Sequence, residues 1–157
     1  MSHLYLLLKL VHILGSTVLF GTGLGIAFFM LMAYRSGDPA AIAHTARTVV
    51  IADALFIATA VLVQPLTGWA MAVLVGYSLF HFWIRWTLVL YVFVGLCWLP
   101  VVWIQMRMRD LAAAAAHDGT ALPARYHAYF KVWFWLGWPA FLGVLAIFVL
   151  MIWKPQW

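Results

Sequence analysis

The chain has 157 residues, of which 68% are hydrophobic and 8% charged, with a formal net charge of +5. Soluble domains carry about 25% charged residues and roughly half apolar ones, so this composition cannot cover a core with a water-facing surface. The basic residues are scattered and not gathered into a patch, which excludes a nucleic-acid surface and makes them topology signals of a membrane protein. Ten Trp, 11 Phe and six Tyr suit lipid contact and headgroup belts.

A helix needs about 20 apolar residues to span a bilayer. The first such stretch covers residues 4–34, too long for the apolar stretch of a signal peptide, with Lys9 and His12 as its ionisable interruptions. Gly21 and Gly25 within it are spaced for close helix packing inside a bundle. Arg35-Ser36-Gly37-Asp38-Pro39 stops it, because turn formers and charges do not enter the hydrocarbon cheaply. The second span covers residues 48–75, with a kink expected at Pro65 beside Gly68. A short connection at residues 76–78 leads into a third, starting near residue 79 and passing Gln105. The alanine run 112–116 favours helix, so this element should project beyond the membrane. Asp118-Gly119 turns the chain, and the fourth span runs from Pro123, as first helical residue, to Trp153. The fold class is therefore all-α: one domain over residues 1–157, a polytopic bundle of four transmembrane helices. Arg35, Arg47, Arg107, Arg109, Arg125 and Lys131 flank the first and third connections. The positive-inside rule then places both termini on the outer, periplasmic side of a bacterial inner membrane.

Ionisable residues at membrane depth are costly and call for an explanation. Lys9, His12 and Ser16 share one face of the first helix at spacings of three and four. His81 and Arg85 share a face at the start of the third, at the same end of the bundle. A b-type haem needs one or two axial imidazoles and cations for its two propionates, and His12, His81, Lys9 and Arg85 offer two of each at similar depth. Four-helix bundles commonly host cofactors on facing helices. The same residues also admit a plain reading, with Lys9 and Arg85 snorkelling to headgroups and the histidines hydrogen-bonded to neighbours. Asp53, one turn inside the second span, is expected to form an ion pair with Arg107, Arg109 or Lys131. Cys97 has no partner for a disulfide or a metal. Met30 and Met32, and Met106 and Met108, stand two apart on different helix faces and do not chelate copper. His44, His117 and His127 read as interfacial residues.

The opening Leu6-Leu7-Leu8-Lys9-Leu10-Val11-His12-Ile13-Leu14-Gly15 resembles that of the HemJ/CopD-like group, small membrane proteins related to the HemJ protoporphyrinogen oxidase. The resemblance continues through Gln64-Pro65-Leu66-Thr67-Gly68 late in helix two, Trp83-Ile84-Arg85-Trp86-Thr87 opening helix three, and Arg107 and Arg109 closing it. The chain is closer still to an uncharacterised family of predicted integral membrane proteins in the same broad group. The resemblance implies a four-helix bundle, homo-oligomerisation and haem b, with His12 matching a haem-ligating histidine. Arg85 stands where HemJ has a lysine, and the stretch Ala124-Arg125-Tyr126-His127-Ala128 lacks HemJ's acidic motif. Both departures count against protoporphyrinogen oxidation and leave haem binding untouched. Three functions are compatible with these residues. One is a haem b protein passing electrons, with quinone or a membrane partner at either end. Another is an oxidoreductase acting on a tetrapyrrole. The third is a cofactor-free accessory subunit of a larger membrane complex.

Overall fold

The computed structural model describes residues 2–155. Helix α1 runs His3–Ser36, α2 runs Pro39–Ala52, α3 runs Ala58–Val75, α4 runs Phe82–Asp118 and α5 runs Ala124–Trp153. Helices α2 and α3 are one span, joined without a break by a π-helical turn at Asp53–Ile57. The chain thus forms four helices of 34, 37, 37 and 30 residues, each long and apolar enough to cross a membrane. An even number of crossings brings both termini to one end of the bundle.

The ends of the helices follow from local chemistry. Ser2 caps α1 by accepting from the Tyr5 amide at 3.3 Å. Gly37 closes it in a left-handed conformation, φ 68°, which costs glycine nothing. The next helix begins at once. The Asp38 carboxylate accepts from the Ala40 and Ala41 amides at 3.0 and 3.3 Å, and Pro39 takes the first helical position. The second helix therefore starts nine residues before the expected residue 48, because this cap and the alanines after it outweigh the polar look of residues 44–48. At the fourth helix Pro123 is the cap residue and Ala124 the first helical one, a shift of one position.

Pro65 sits inside α3, which continues through it. A helical proline has no N–H to give the carbonyl four residues earlier, here that of Val61. The Tyr91 hydroxyl of α4 donates to that carbonyl instead. In lipid, where no water can substitute, such a bond satisfies the acceptor that the proline leaves open.

The helices do not pack evenly. Helix α1 lies on α2 and α3, and α4 lies on α2 and α5. Helix α1 meets α5 only marginally, with Phe20 stacked on Phe141 and tilted against Phe148 at centroid distances of 5.5 and 5.6 Å. The contiguous core occupies the arginine-rich end. There Met30, Ile42, Ala46, Val49, Ile104, Met108, Ala112, Tyr126, Phe130 and Trp133 are buried together. Tyr34 stacks on Phe130 at 3.8 Å and its hydroxyl meets His127 Nδ1 at 2.9 Å. At the opposite end, α1/α3 and α4/α5 form two pairs, linked by the Tyr91–Val61 bond, by the Phe20 stack and, past the end of α3, by Tyr77, whose ring lies edge-on to Trp83 of α4 and beneath the Lys154 ammonium that follows α5. Gly21 and Gly25, expected as a packing pair inside the bundle, leave open space: a Cβ at either would meet nothing within 4 Å. Close approach occurs instead at Gly15, toward α3, and at Gly143, where a Cβ would stand 2.6 Å from Val94.

Candidate functional site

The loosely joined end of the bundle holds a polar clamp around His12. Gln64, Thr67 and Gly68 lie at i, i+3 and i+4 on α3 and so share the face turned to α1. Gln64 Nε2 donates to the His12 carbonyl at 2.9 Å. A Cβ on Gly15 would stand 2.4 Å from that nitrogen, so the missing side chain at 15 is what lets the amide reach across. A Cβ on Gly68 would touch the His12 ring at 3.4 Å, so the imidazole lies flush against the α3 backbone.

Thr67 orients the imidazole. Its Oγ1 lies 2.8 Å from His12 Nδ1 and also 2.8 Å from the Val63 carbonyl. That carbonyl already accepts the Thr67 amide within α3, so the hydroxyl serves His12 either as acceptor from Nδ1–H or as donor to Nδ1. Nε2, across the ring, is not engaged by Thr67. A histidine oriented through a hydrogen bond at Nδ1 is the usual arrangement of an imidazole that ligates a metal through Nε2.

The other expected site residues lie near this end but not in contact with the clamp. Lys9, one turn before His12, is exposed. Ser16 donates to the Ile13 carbonyl of its own helix and does not join His12. His81 is the residue before α4, with its Nδ1–H donating to the Ser78 carbonyl at 2.8 Å and its ring edge-on to Tyr77. Its Nε2, across the ring, is not engaged by Ser78. Arg85 is exposed one turn further along. Helices α1 and α4 are not packed together, and among the described residues no hydrogen bond or ion pair joins Lys9 or His12 to His81 or Arg85. Between the two helix pairs, α4 offers the Thr87 hydroxyl, buried without a partner, on the face from which Tyr91 reaches α3. Trp83 Nε1, four residues before it, is likewise buried and unpaired.

Asp53 forms a second polar group deeper in the bundle, and here the expected ion pair is absent. Its carboxylate, 3% exposed, accepts from Trp98 Nε1 at 3.2 Å. The Gln105 side chain lies against it, while Asp53 Oδ2 and Gln105 Oε1 have no partner among the described residues. Arg109 pairs with Asp110 at 2.7 Å, and Arg107 stacks over Trp103. Helical phase explains the difference: two residues beyond Gln105, Arg107 points about 200° away from it around α4. Among the described residues, no group of three or more metal-ligating side chains gathers at either place.

Gln64, Thr67 and Thr87 lie in segments that carry the family resemblance, but the sequence analysis assigned none of them a place in the site. The available signal was a polar residue inside an apolar span, since such residues face other helices and not lipid.

Four apolar helices with a polar clamp at one end define a polytopic integral membrane protein. The chain matches the family described as "Predicted integral membrane protein (DUF2269)" over residues 6–155, and it belongs to that family. No curated protein and no solved structure matches it.

Proposed function

We propose that this chain binds haem b near the end of the bundle that carries the termini and passes electrons there. The observation that supports this most is the placing of His12, whose Nδ1 is held 2.8 Å from the Thr67 hydroxyl, with Nε2 on the other side of the ring. The orphaned Thr87 hydroxyl between two loosely joined helix pairs also favours it, since buried polar atoms without a partner are uncommon unless a bound group meets them. The resemblance of the Lys9–His12 and Gln64–Gly68 segments to the HemJ/CopD-like group points the same way, and these two segments make the clamp. In this reading His12 and His81 would supply imidazoles to the iron, and Lys9 and Arg85 would neutralise the propionates. Haem held there would supply a one-electron couple, its potential set by the ligating side chains and their hydrogen bonds. The Arg85 guanidinium is suited to hold an anion through paired hydrogen bonds, which favours electron transfer over tetrapyrrole oxidation. By the positive-inside rule the site faces the periplasm of a bacterial cytoplasmic membrane.

The test is an absorption spectrum of the detergent-purified protein, air-oxidised and then dithionite-reduced. A sharp Soret band with reduced α and β bands is expected, lost in His12→Ala. Full haem occupancy in His12→Ala would remove His12 from the site. A wild-type spectrum of tryptophan and tyrosine alone, after reconstitution with hemin, would remove the cofactor.

A further inference from the structure

The arginine-rich end contains a cavity that the haem reading does not use. It measures about 410 Å³ and lies between α2 and α4, lined by Ala43, His44, Arg47, Arg109 and Ala113. Ala43 and Arg47 are four apart on α2, as are Arg109 and Ala113 on α4, so each helix offers one guanidinium and one methyl to the same space. The two alanines create the room, and the arginines and His44 supply the charge. No carboxylate lines the cavity. Asp110 takes the Nε and Nη2 edge of Arg109, while Arg47 has no hydrogen bond or ion pair among the described residues.

A neighbouring cavity of about 180 Å³ shows the contrast. It is lined by Arg107, Asp110, Leu111, Arg125 and Tyr129. Its two guanidinium groups lie against aromatic side chains, and a carboxylate shares the space: Arg125 donates to the Tyr129 hydroxyl at 3.1 and 2.9 Å, Arg107 lies over Trp103, and Asp110 is itself in the lining. The first cavity has two arginines and no carboxylate in its lining, whereas the second has two arginines and a carboxylate.

What continues from the first cavity toward the middle of the membrane narrows the ligand. Ile51, one turn beyond Arg47 on α2, is 51% exposed, and Met106, one turn from Arg109 on α4, is 37% exposed. A cationic cavity at the helix ends thus runs into an apolar surface at hydrocarbon depth. A free phosphate would use only the first part, whereas a molecule with a phosphate head and acyl chains would use both. Guanidinium groups bind phosphate oxygens through paired hydrogen bonds, and basic pockets between transmembrane helices are known to seat anionic headgroups.

We infer that the cavity between Arg47 and Arg109 is a binding site for one anionic phospholipid, its phosphate on the two arginines and its chains against Ile51 and Met106. The test is native mass spectrometry of the full chain, delipidated and then titrated separately with phosphatidylglycerol, phosphatidylcholine and inorganic phosphate. One phosphatidylglycerol per chain should survive activation that strips phosphatidylcholine, with a preference of about tenfold. Arg47→Glu should abolish the preference, and Arg47→Gln, the gentler change should Arg47→Glu fail to fold, should cut it severalfold. Arg125→Glu, in the neighbouring cavity, should leave it intact. Equal loss in Arg47→Glu and Arg125→Glu would reduce the effect to diffuse surface charge and overturn the site. Retention of inorganic phosphate without any lipid preference would overturn the lipid. Equal retention of both lipids by the unaltered chain would overturn both.

Discussion

The two ends of the bundle are built differently. At the arginine-rich end four helices meet around one buried core of Met30, Ile42, Ala46, Met108, Tyr126 and Phe130. At the His12 end the helices stand as two pairs: Gln64 and Thr67 tie α3 to His12 of α1, while Tyr91 on the Val61 carbonyl, the Phe20 stack and the Tyr77–Trp83–Lys154 cluster join one pair to the other. Lipid tails are as apolar as leucine, so burial drives little association inside a membrane, and shape and hydrogen bonds decide it. The closely packed end is thus suited to hold the helices in register, and the loosely joined end to admit a ligand between them.

Substitutions can break this comparison. Phe130→Ala opens the packed end and should cost about 3 kcal/mol, read as an earlier midpoint in denaturing-detergent titration. A loss as small as that of any change at the His12 end would mean that the core is not where stability lies. Tyr91→Phe leaves the Val61 carbonyl without a donor beside Pro65 and should cost about 1–2 kcal/mol in the same titration. Gly15→Ala displaces Gln64 from the His12 carbonyl and should cost about 1 kcal/mol while loosening α1 from α3. Thr67→Val removes the contact to His12 Nδ1 and should cost up to about 1 kcal/mol in that titration, while freeing the ring to rotate. If His12 ligates haem, retention should fall about 10–100-fold, measured by competitive extraction with apomyoglobin. Unchanged retention in Thr67→Val would separate the Thr67 contact from ligand binding.

The architecture was readable from the residues because hydropathy over about 20 positions is a strong signal. The first helix and the projecting end of the third lie close to the expected bounds. The early start of α2 was written in Asp38-Pro39-Ala40-Ala41, a cap followed by good helix formers, but His44, Arg47 and Thr48 masked it. His12 stood out as an ionisable residue in an apolar span. Its partner did not: Thr67 is 55 residues away. That the two meet depends on the relative rotation of two helices, which residue spacing within one helix does not set. The Asp53 ion pair failed for a related reason. The cations were correctly placed at the arginine-rich end, but a carboxylate is met by whichever residue the phase of α4 presents, here Trp98 and Gln105.

The π turn at Asp53–Ile57 couples these two lessons. A π turn is one residue longer than the α-helical turn it replaces, and each residue of an α-helix rotates the chain by about 100°. Everything on α3 is therefore set, relative to α2, by a single additional residue. Removing one residue from positions 54–56 would restore a plain α-helix and leave the α2–α4 contacts in place. It would also swing Gln64, Thr67 and Gly68 off the face of α1. In the history of such a chain, one inserted codon would be enough to give a finished membrane helix a second, independently oriented face.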